Sequence, residues 1–270
     1  MNDGARDVRI STILTMLTQR AELKVRVLPT VLGVSGPTVR RDLAIMEEKG
    51  LIRRSYGRIV AAQRSAEMPV SLRRSQNTEA KRRIGALAST LLPGRQLTVA
   101  LSGGSTVGFV AGILAARPEL KVVTNGLDTA TTLTARQLVT VVVTGGTARP
   151  MSNDLVGSDA ERTLRGYEFD FAIVGADGVS PTGGVTQHNS AAAKVSRVML
   201  EQAARKIIVA DSSKLGRVYQ ARVAGIDALD TVVTDSHANP ELVASLRRLG
   251  LNTVLVAIPP AANSVRRRAS

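Results

Sequence analysis

The run Val34-Ser35-Gly36-Pro37-Thr38-Val39-Arg40-Arg41-Asp42-Leu43, closed by Met46-Glu47-Glu48-Lys49-Gly50-Leu51-Ile52-Arg53-Arg54, limits what this chain can fold into more than any other stretch. Ser35 suits a helix N-cap, because its hydroxyl can satisfy an orphan backbone N–H of the first turn. Val39, Leu43 and Met46 recur at helical spacing, and Gly50 suits the left-handed position just past the helix end. One face of this helix is therefore apolar, which leaves Thr38, Arg40 and Arg41 on the outer face. A helix that reads the major groove needs short polar side chains near its N-terminus and guanidinium groups for base edges or phosphates. Arg53, Arg54 and Arg58 follow on a basic β-ribbon. The candidate DNA contacts are accordingly Ser35, Thr38, Arg40, Arg41, Arg53, Arg54 and Arg58.

The preceding residues supply the rest of a helix-turn-helix. Ile10, Ile13, Leu14 and Leu17 repeat at i, i+3, i+4, i+7 and predict an amphipathic first helix over residues 6–19. Leu28, Val31 and Leu32 indicate a short second helix over residues 26–32, with Pro29 tolerated only in its first turn, and Gly33 allows a tight turn into Ser35. Most adjacent arginines merely belong to a solvated helix face. Here a capped helix, a glycine turn, two upstream apolar helices and a basic ribbon would all have to coincide by accident. A winged helix-turn-helix domain is expected over residues 1–62.

Composition agrees with a polyanionic partner. The formal net charge is +14 and the sequence pI is near 11.2, which favours association with nucleic acid. Part of that excess sits in Arg266-Arg267-Arg268, within a basic tail over residues 259–270 that is expected to be disordered. Aromatic residues make up only 2% of the chain and Trp is absent, so platforms for stacking unpaired bases are scarce and double-stranded DNA is the better target. With no Cys and only His188 and His237, disulfides and zinc sites are not expected, nor is a cofactor. No apolar run reaches membrane-spanning length, and Met1 to Arg20 lacks the uninterrupted apolar stretch of a signal peptide, so a cytoplasmic location without membrane association is expected.

Residues 63–77 are polar and irregular and read as a linker. From residue 78 to 258 a second regime follows, a helix ending near Leu92 and then β-rich runs alternating with helical stretches. The runs cover residues 97–101, 121–124, 139–144, 170–174, 206–210, 231–234 and 253–256. Their near-continuous Val/Ile content suits strands covered on both faces, as in a parallel sheet, so the chain is expected to be mainly α/β.

Small polar residues and glycines cluster after these strands, where open α/β sheets bind ligands. Ser102-Gly103-Gly104-Ser105-Thr106 leads into a helix and can present backbone N–H groups and hydroxyls to a phosphate. Thr124-Asn125-Gly126, Gly145-Gly146, Gly175-Ala176-Asp177-Gly178 and Asp211-Ser212-Ser213-Lys214 follow the next strands. Any one cluster is most simply a turn. Five along one sheet edge point to an effector site comprising Ser102, Gly104, Ser105, Thr106, Thr124, Asn125, Gly145, Gly146, Asp177 and Lys214, with Lys214 as its evident cation.

Over roughly residues 6–235 the chain resembles the DeoR family of bacterial regulators. The residues carrying the likeness are Gly33-Val34-Ser35, Thr38-Val39-Arg40-Arg41-Asp42-Leu43, Gly104-Ser105-Thr106, Thr124-Asn125, Gly145-Gly146 and Asp211-Ser212-Ser213-Lys214. The resemblance implies a winged helix followed by a sensor domain related to ribose-5-phosphate isomerase and CoA transferases. It also implies a repressor that binds operator DNA as a homo-oligomer and answers to a phosphorylated sugar or related metabolite. Three departures stand out: Ser102 replaces the family's usual aspartate, Ala192 and Ser196 replace a Glu and a Lys one turn apart in a helix starting near Ser190, and Gly57-Arg58-Ile59 replaces a Gly-Gly-Ala ending after the wing. The first removes a carboxylate suited to sugar hydroxyls, the second makes a polar pair inert, and the third adds charge to the hairpin.

The same residues weigh a regulator against a sugar-phosphate isomerase carrying a DNA-binding domain. Proton transfer next to a carbonyl needs a carboxylate base and groups that stabilise the developing enediolate. The related isomerases have a second acid after their Gly-Ala-Asp, a Lys before a glycine run and a Glu further on. This chain has Gly178, Thr182 and the alanines Ala191 to Ala193 instead, so no catalytic set is expected. A non-specific architectural DNA protein would explain the charge but not an α/β sensor domain.

Overall fold

The computed structural model describes residues 3–62 and 67–259, which divide into two compact units, Met1–Thr78 with Pro150–Ser152, and Glu79–Arg149 with Asn153–Ser270. The first unit contains α1 (Asp3–Gln19), β1 (Leu23–Lys24), α2 (Leu28–Leu32), α3 (Gly36–Glu48), β2 (Ile52–Ser55), β3 (Arg58–Ala61) and α4 (Val70–Ser75). Its core is built by the residues whose spacing predicted it: Ile10, Ile13, Leu14 and Leu17 from α1 meet Leu28 from α2 and Val39, Leu43 and Met46 from α3. Burying each of these side chains contributes about 1.5–3 kcal/mol relative to leaving it in water. Pro29 sits in the first turn of α2, and Gly33 takes φ 63° to turn the chain into Ser35.

One buried charge is fixed in this core. Asp42 on α3 is 2% exposed, and Arg9 on α1 meets it with Nε–Oδ2 at 2.6 Å and Nη2–Oδ1 at 3.1 Å. Two parallel N–H···O bonds set the angle and register of α1 on α3. The bond to Asp42 raises the pKa of the Arg9 guanidinium.

The segment read as a linker is shorter than expected. Residues 63–66 lie outside the described residues, but 70–75 form α4, and its Leu72 joins the first unit's apolar core. A buried leucine in a six-residue helix was hidden because the surrounding Arg73, Arg74 and Ser75 dominate the local composition. The expected basic tail lies, from residue 260 onward, outside the described residues.

The second unit contains α5 (Thr78–Thr90), β4 (Leu97–Leu101), α6 (Ser105–Leu114), β5 (Leu120–Thr124), α7 (Leu127–Thr134), β6 (Thr140–Val143), β7 (Thr147–Ala148), β8 (Leu155–Val156), α8 (Ser158–Arg165) and β9 (Phe169–Gly175). It continues with β10 (Gly178–Ser180), β11 (Gly184–Gln187), α9 (Ser190–Glu201), β12 (Ala203–Val209), β13 (Ala221–Ala224), β14 (Thr231–Asp235), α10 (Pro240–Arg248) and β15 (Asn252–Val256). The seven strands expected from sequence make one parallel sheet in the order β15-β14-β12-β9-β4-β5-β6.

Alternation along these strands explains why they read as continuous apolar runs. Ala100, Ala172, Val174, Ile208 and Val232 pack on one face with α8 and α9 residues such as Leu164 and Val195, while Val99, Leu101, Ile173, Val209 and Val233 pack on the other with Ile84 of α5 and Val110 of α6. Both faces are covered, so neither strand face can be polar. A second, antiparallel sheet of β10, β11 and β13 was not foreseen, because its strands are only 3–4 residues long and each carries a single valine among small or polar residues.

Candidate functional site

In the first unit, α3 begins as a capped helix: the Thr38 N–H reaches Ser35 Oγ at 3.4 Å, and the two hydroxyls lie 2.9 Å apart. Arg40 and Arg41 are exposed on α3, and Arg53 is exposed on β2. The ribbon is built by a two-residue turn, Tyr56 at φ 43° and Gly57 at φ 72°, the positive values that a tight hairpin of right-handed twist requires. β3 pairs with β2 on one edge and β1 on the other, making the wing a three-stranded sheet.

The three ribbon arginines are not equivalent. Arg54 turns back onto α3, with Nε 3.1 Å from Glu47 Oε2 and Nη2 3.5 Å from the Arg40 carbonyl. Arg58 pairs with Glu22, and Arg53 is exposed. Tyr56 was not singled out from sequence, yet its ring is fully exposed at the hairpin tip beside Arg58. A lone aromatic between Ser55 and Gly57 was the available signal.

In the second unit, the chain order reverses between β4 and β9: β5 and β6 extend the sheet one way, and β12, β14 and β15 the other. Such a reversal opens a crevice at the C-terminal strand ends. Ser102 after β4 and Gly175 at the end of β9 face each other across it, and the Gly175 N–H donates to Ser102 Oγ at 3.1 Å. Ser102 Oγ also donates to the Gly103 carbonyl at 3.0 Å. Gly104, at φ 108°, forms the turn into α6, and Ser105 and Thr106 are buried in its first turn.

Other predicted residues brace this turn and its neighbour. Asn125 Oδ1 accepts the Gly103 N–H at 3.2 Å while its Nδ2 donates to the Leu155 carbonyl at 3.0 Å, so both ends of the amide are engaged. Thr124 Oγ1 accepts the Gly126 N–H at 3.0 Å. Gly145 and Gly146 follow β6, two strand spacings from β4 and so about 10 Å away. Gly146 is required there by close packing, since a Cβ on it would stand 2.6 Å from the Val156 carbonyl oxygen.

Asp177 after β9 is 8% exposed and accepts the His188 backbone N–H at 3.0 Å, with His188 Nδ1 also 3.0 Å from its Oδ2. The His188 ring packs on Tyr219 with centroids 3.8 Å apart. His188, in the bend after β11, is therefore part of the strand-edge cluster. The small second sheet, unforeseen from sequence, is what carries it there. Ser196 is likewise not inert, because Gln187 Nε2 donates to its Oγ at 3.0 Å and to the Gly175 carbonyl at 3.2 Å.

Lys214 ends a 3-10 turn after β12, next to β9 in the sheet. A second lysine escaped sequence reading. Lys81 on α5 is 3% exposed, with Nζ 3.8 Å from Asp211 Oδ2 at the head of the same turn. Its signal was a lysine in register with Ile84 and Ala88 on the apolar face of α5.

Comparison with known proteins now decides the family. The model of the DeoR C-terminal sensor domain matches residues 76–236, and that of the DeoR-like helix-turn-helix domain matches residues 9–65. The chain belongs to the DeoR family. Among DeoR relatives it is 30% identical over 248 residues to the HTH-type transcriptional repressor GlcR of Bacillus subtilis, covering 92% of this chain and 95% of that one. It is 27% identical over 228 residues to the glycerol-3-phosphate regulon repressor of Escherichia coli K12, covering 84% and 90%. It is 31% identical over 231 residues to the HTH-type transcriptional regulator GlpR of Haloferax volcanii, covering 83% and 87%. These relatives are transcription regulators, not enzymes. This DeoR-family protein is a DNA-binding transcription regulator with a sensor domain for a small-molecule effector. Ribose 5-phosphate isomerase A of Methanocaldococcus jannaschii is a distant structural neighbour, with 17% identity, TM-score 0.40 and coverage of 52% of this chain and 55% of that one. Among the described residues no helix is long and apolar enough to cross a membrane.

Proposed function

We propose that this protein represses genes of carbohydrate or related catabolism, binding operator DNA as a homo-oligomer through α3 and the wing and releasing or gripping it as a phosphorylated metabolite binds the sensor domain. The observation that carries the reading is the Ser102–Gly175 hydrogen bond at the reversal of strand order, with the first turn of α6 opening beside it. Backbone N–H groups of that turn and the hydroxyls of Ser105 and Thr106 suit phosphate oxygens, and the dipole of a ten-residue helix favours negative charge there. Lys214 supplies a cation at the neighbouring strand end, and Asp177, held by His188, supplies an acceptor for hydroxyls.

The matched regulators include one named for a glycerol-3-phosphate regulon, which supports a phosphorylated ligand. On DNA, Ser35 caps α3 while Thr38, Arg40 and Arg41 meet base edges and phosphates, and Arg53, Arg54 and Arg58 meet the backbone from the wing. Two-fold operators need two such helices at half-sites about one helical turn apart, which is why an oligomer is part of the reading. The experiment is a thermal-shift screen of the full-length protein against sugar phosphates, with Lys214→Ala as the control. A stabilising phosphorylated compound whose effect is lost in Lys214→Ala supports the reading. Stabilisation by no phosphorylated compound, or turnover of one, overturns it.

A further inference from the structure

A carboxylate reaches the turn before α6 from an unexpected place. Asp154 lies between β7 and β8, outside every strand-end cluster, yet a Cβ on Gly103 would fall 1.6 Å from Asp154 Oδ1 and 2.7 Å from its Cγ. The side chain is therefore seated on the bare Cα of Gly103, one residue before the Gly104 turn. Its position is fixed by backbone on both sides. Gly126 and Asp154 form an antiparallel bridge, the Leu155 N–H donates to the Asn125 carbonyl at 2.7 Å, and the Leu127 N–H donates to the Asn153 carbonyl at 3.0 Å. Asn125 in turn holds the Gly103 N–H. The segment carrying Asp154 and the turn carrying Gly103 are thus one laced unit, in which Oδ1 is buried while Asp154 as a whole stays half-buried.

We propose that Asp154 is the specificity-determining residue of the effector site, accepting hydroxyl hydrogens of the phosphorylated ligand whose phosphate sits on the first turn of α6. This rests on the phosphate reading given above. The hydroxyl of Ser102, just after β4, is committed to the Gly175 N–H and the Gly103 carbonyl. A carboxylate offers about four lone-pair positions, so Asp154 can keep its protein neighbours and still accept from a diol. Seated against Gly103, the residue before the Gly104 turn, it is assigned to a hydroxyl of the ligand and not to the phosphate itself. Two anions sharing one seat would repel, whereas an anion beside a hydroxyl does not. The ligand class is a polyol or sugar phosphate with a free hydroxyl.

The test uses full-length protein and calorimetric titration with inorganic phosphate, glycerol 3-phosphate, ribose 5-phosphate and fructose 6-phosphate. Asp154→Asn keeps the size of the side chain and removes the charge. Gly103→Ala keeps the charge and drives the carboxylate off its seat. For the hydroxylated ligand that binds the parent protein, both variants should raise Kd about 10- to 100-fold, the loss of a hydrogen bond to a charged group. Inorganic phosphate should bind both variants within about threefold of the parent, and that retained binding shows the α6 turn intact. Equal binding of the hydroxylated ligand by parent and Asp154→Asn overturns the proposal alone, as does a parallel loss of inorganic phosphate, which would make Asp154 structural. Tighter binding of both ligands by Asp154→Asn also overturns it, since Asp154 would then be occupying the phosphate seat. Failure of every phosphorylated compound to bind the parent overturns the phosphate reading and the proposal with it.

Discussion

Ser102 Oγ accepts the Gly175 N–H at 3.1 Å, joining the ends of β4 and β9 where the strand order of the sheet reverses. Ser102 is 5% exposed, so Ser102→Ala leaves the half-buried Gly175 N–H without that acceptor. The expected cost is about 1–3 kcal/mol. Thermal unfolding of the second unit should shift down by several degrees, at about 2–4 °C per kcal/mol for a domain of this size. An unshifted transition would show that water replaces the hydroxyl without cost.

The Arg9–Asp42 pair makes a sharper prediction for the first unit. Removing only one partner leaves an uncompensated charge, so Arg9→Met should destabilise by about 3–5 kcal/mol. Because Asp42 sits on the inner side of α3, DNA affinity should fall with the folded fraction and recover at low temperature or with added DNA. Parallel urea melts and mobility shifts check both halves of this statement.

On the DNA face the structure separates the arginines. Arg41→Ala should weaken binding to the cognate site by about 1–3 kcal/mol and relax preference at one base pair, the signature of a lost bidentate base contact. Arg58→Ala should weaken all sequences alike and flatten the dependence on salt. A selection experiment over randomised duplexes, repeated at two salt concentrations, distinguishes these outcomes.

Gly85 tests packing against propensity. In a helix interior Gly→Ala ordinarily gains about 1 kcal/mol. A Cβ on Gly85, however, would stand 2.9 Å from the backbone carbon of Phe109, where α5 meets α6. Backbone cannot swing away, and Gly85→Ala should destabilise by about 1–3 kcal/mol. A stabilised variant, measured by denaturant midpoint, would mean the two helices separate easily.

Acid should loosen the first turn of α5. Glu79 is held at a pKa of about 2, from an ordinary 4.5, by hydrogen bonds from Arg82 first and Arg83 second. Its folded-state pKa lies below the unfolded one, so the contribution is fully present above about pH 4.5 and is lost as pH falls toward 2. Glu79→Gln should flatten the stability profile across that window and leave neutral pH little changed. The group is exposed, so the difference is small and best read by comparing melting temperatures of the two proteins along a pH series.

Much of this was legible in the residues. The seven parallel strands are Val/Ile runs covered on both faces, and the winged helix carries its own cap, glycine turn and apolar stripe, so local pattern and tertiary environment agree. What stayed hidden depended on chain crossings that no local pattern encodes. Asp154 reaches Gly103 only because it bridges Gly126, and His188 reaches Asp177 because β11 of the small sheet pairs with β10 just before it. Lys81 drew no attention in the sequence and is buried against Asp211. Conversely, Asn125, Thr124 and Gly146 were legible as special but not as braces, since a side-chain amide that satisfies the backbone and one that faces a ligand have the same spelling.

The most direct measurement is the affinity of full-length protein for a duplex from its own promoter region, titrated with and without the sugar phosphate that stabilises it in the thermal screen. A ligand can shift DNA binding only by its own difference in affinity between the DNA-competent and incompetent forms, typically about 5- to 150-fold. The account expects a change of at least about fivefold in the parent and a markedly smaller one, at the same ligand concentration, in Asp154→Asn. A sugar phosphate that binds the sensor domain at saturation and leaves the DNA affinity unchanged would contradict it.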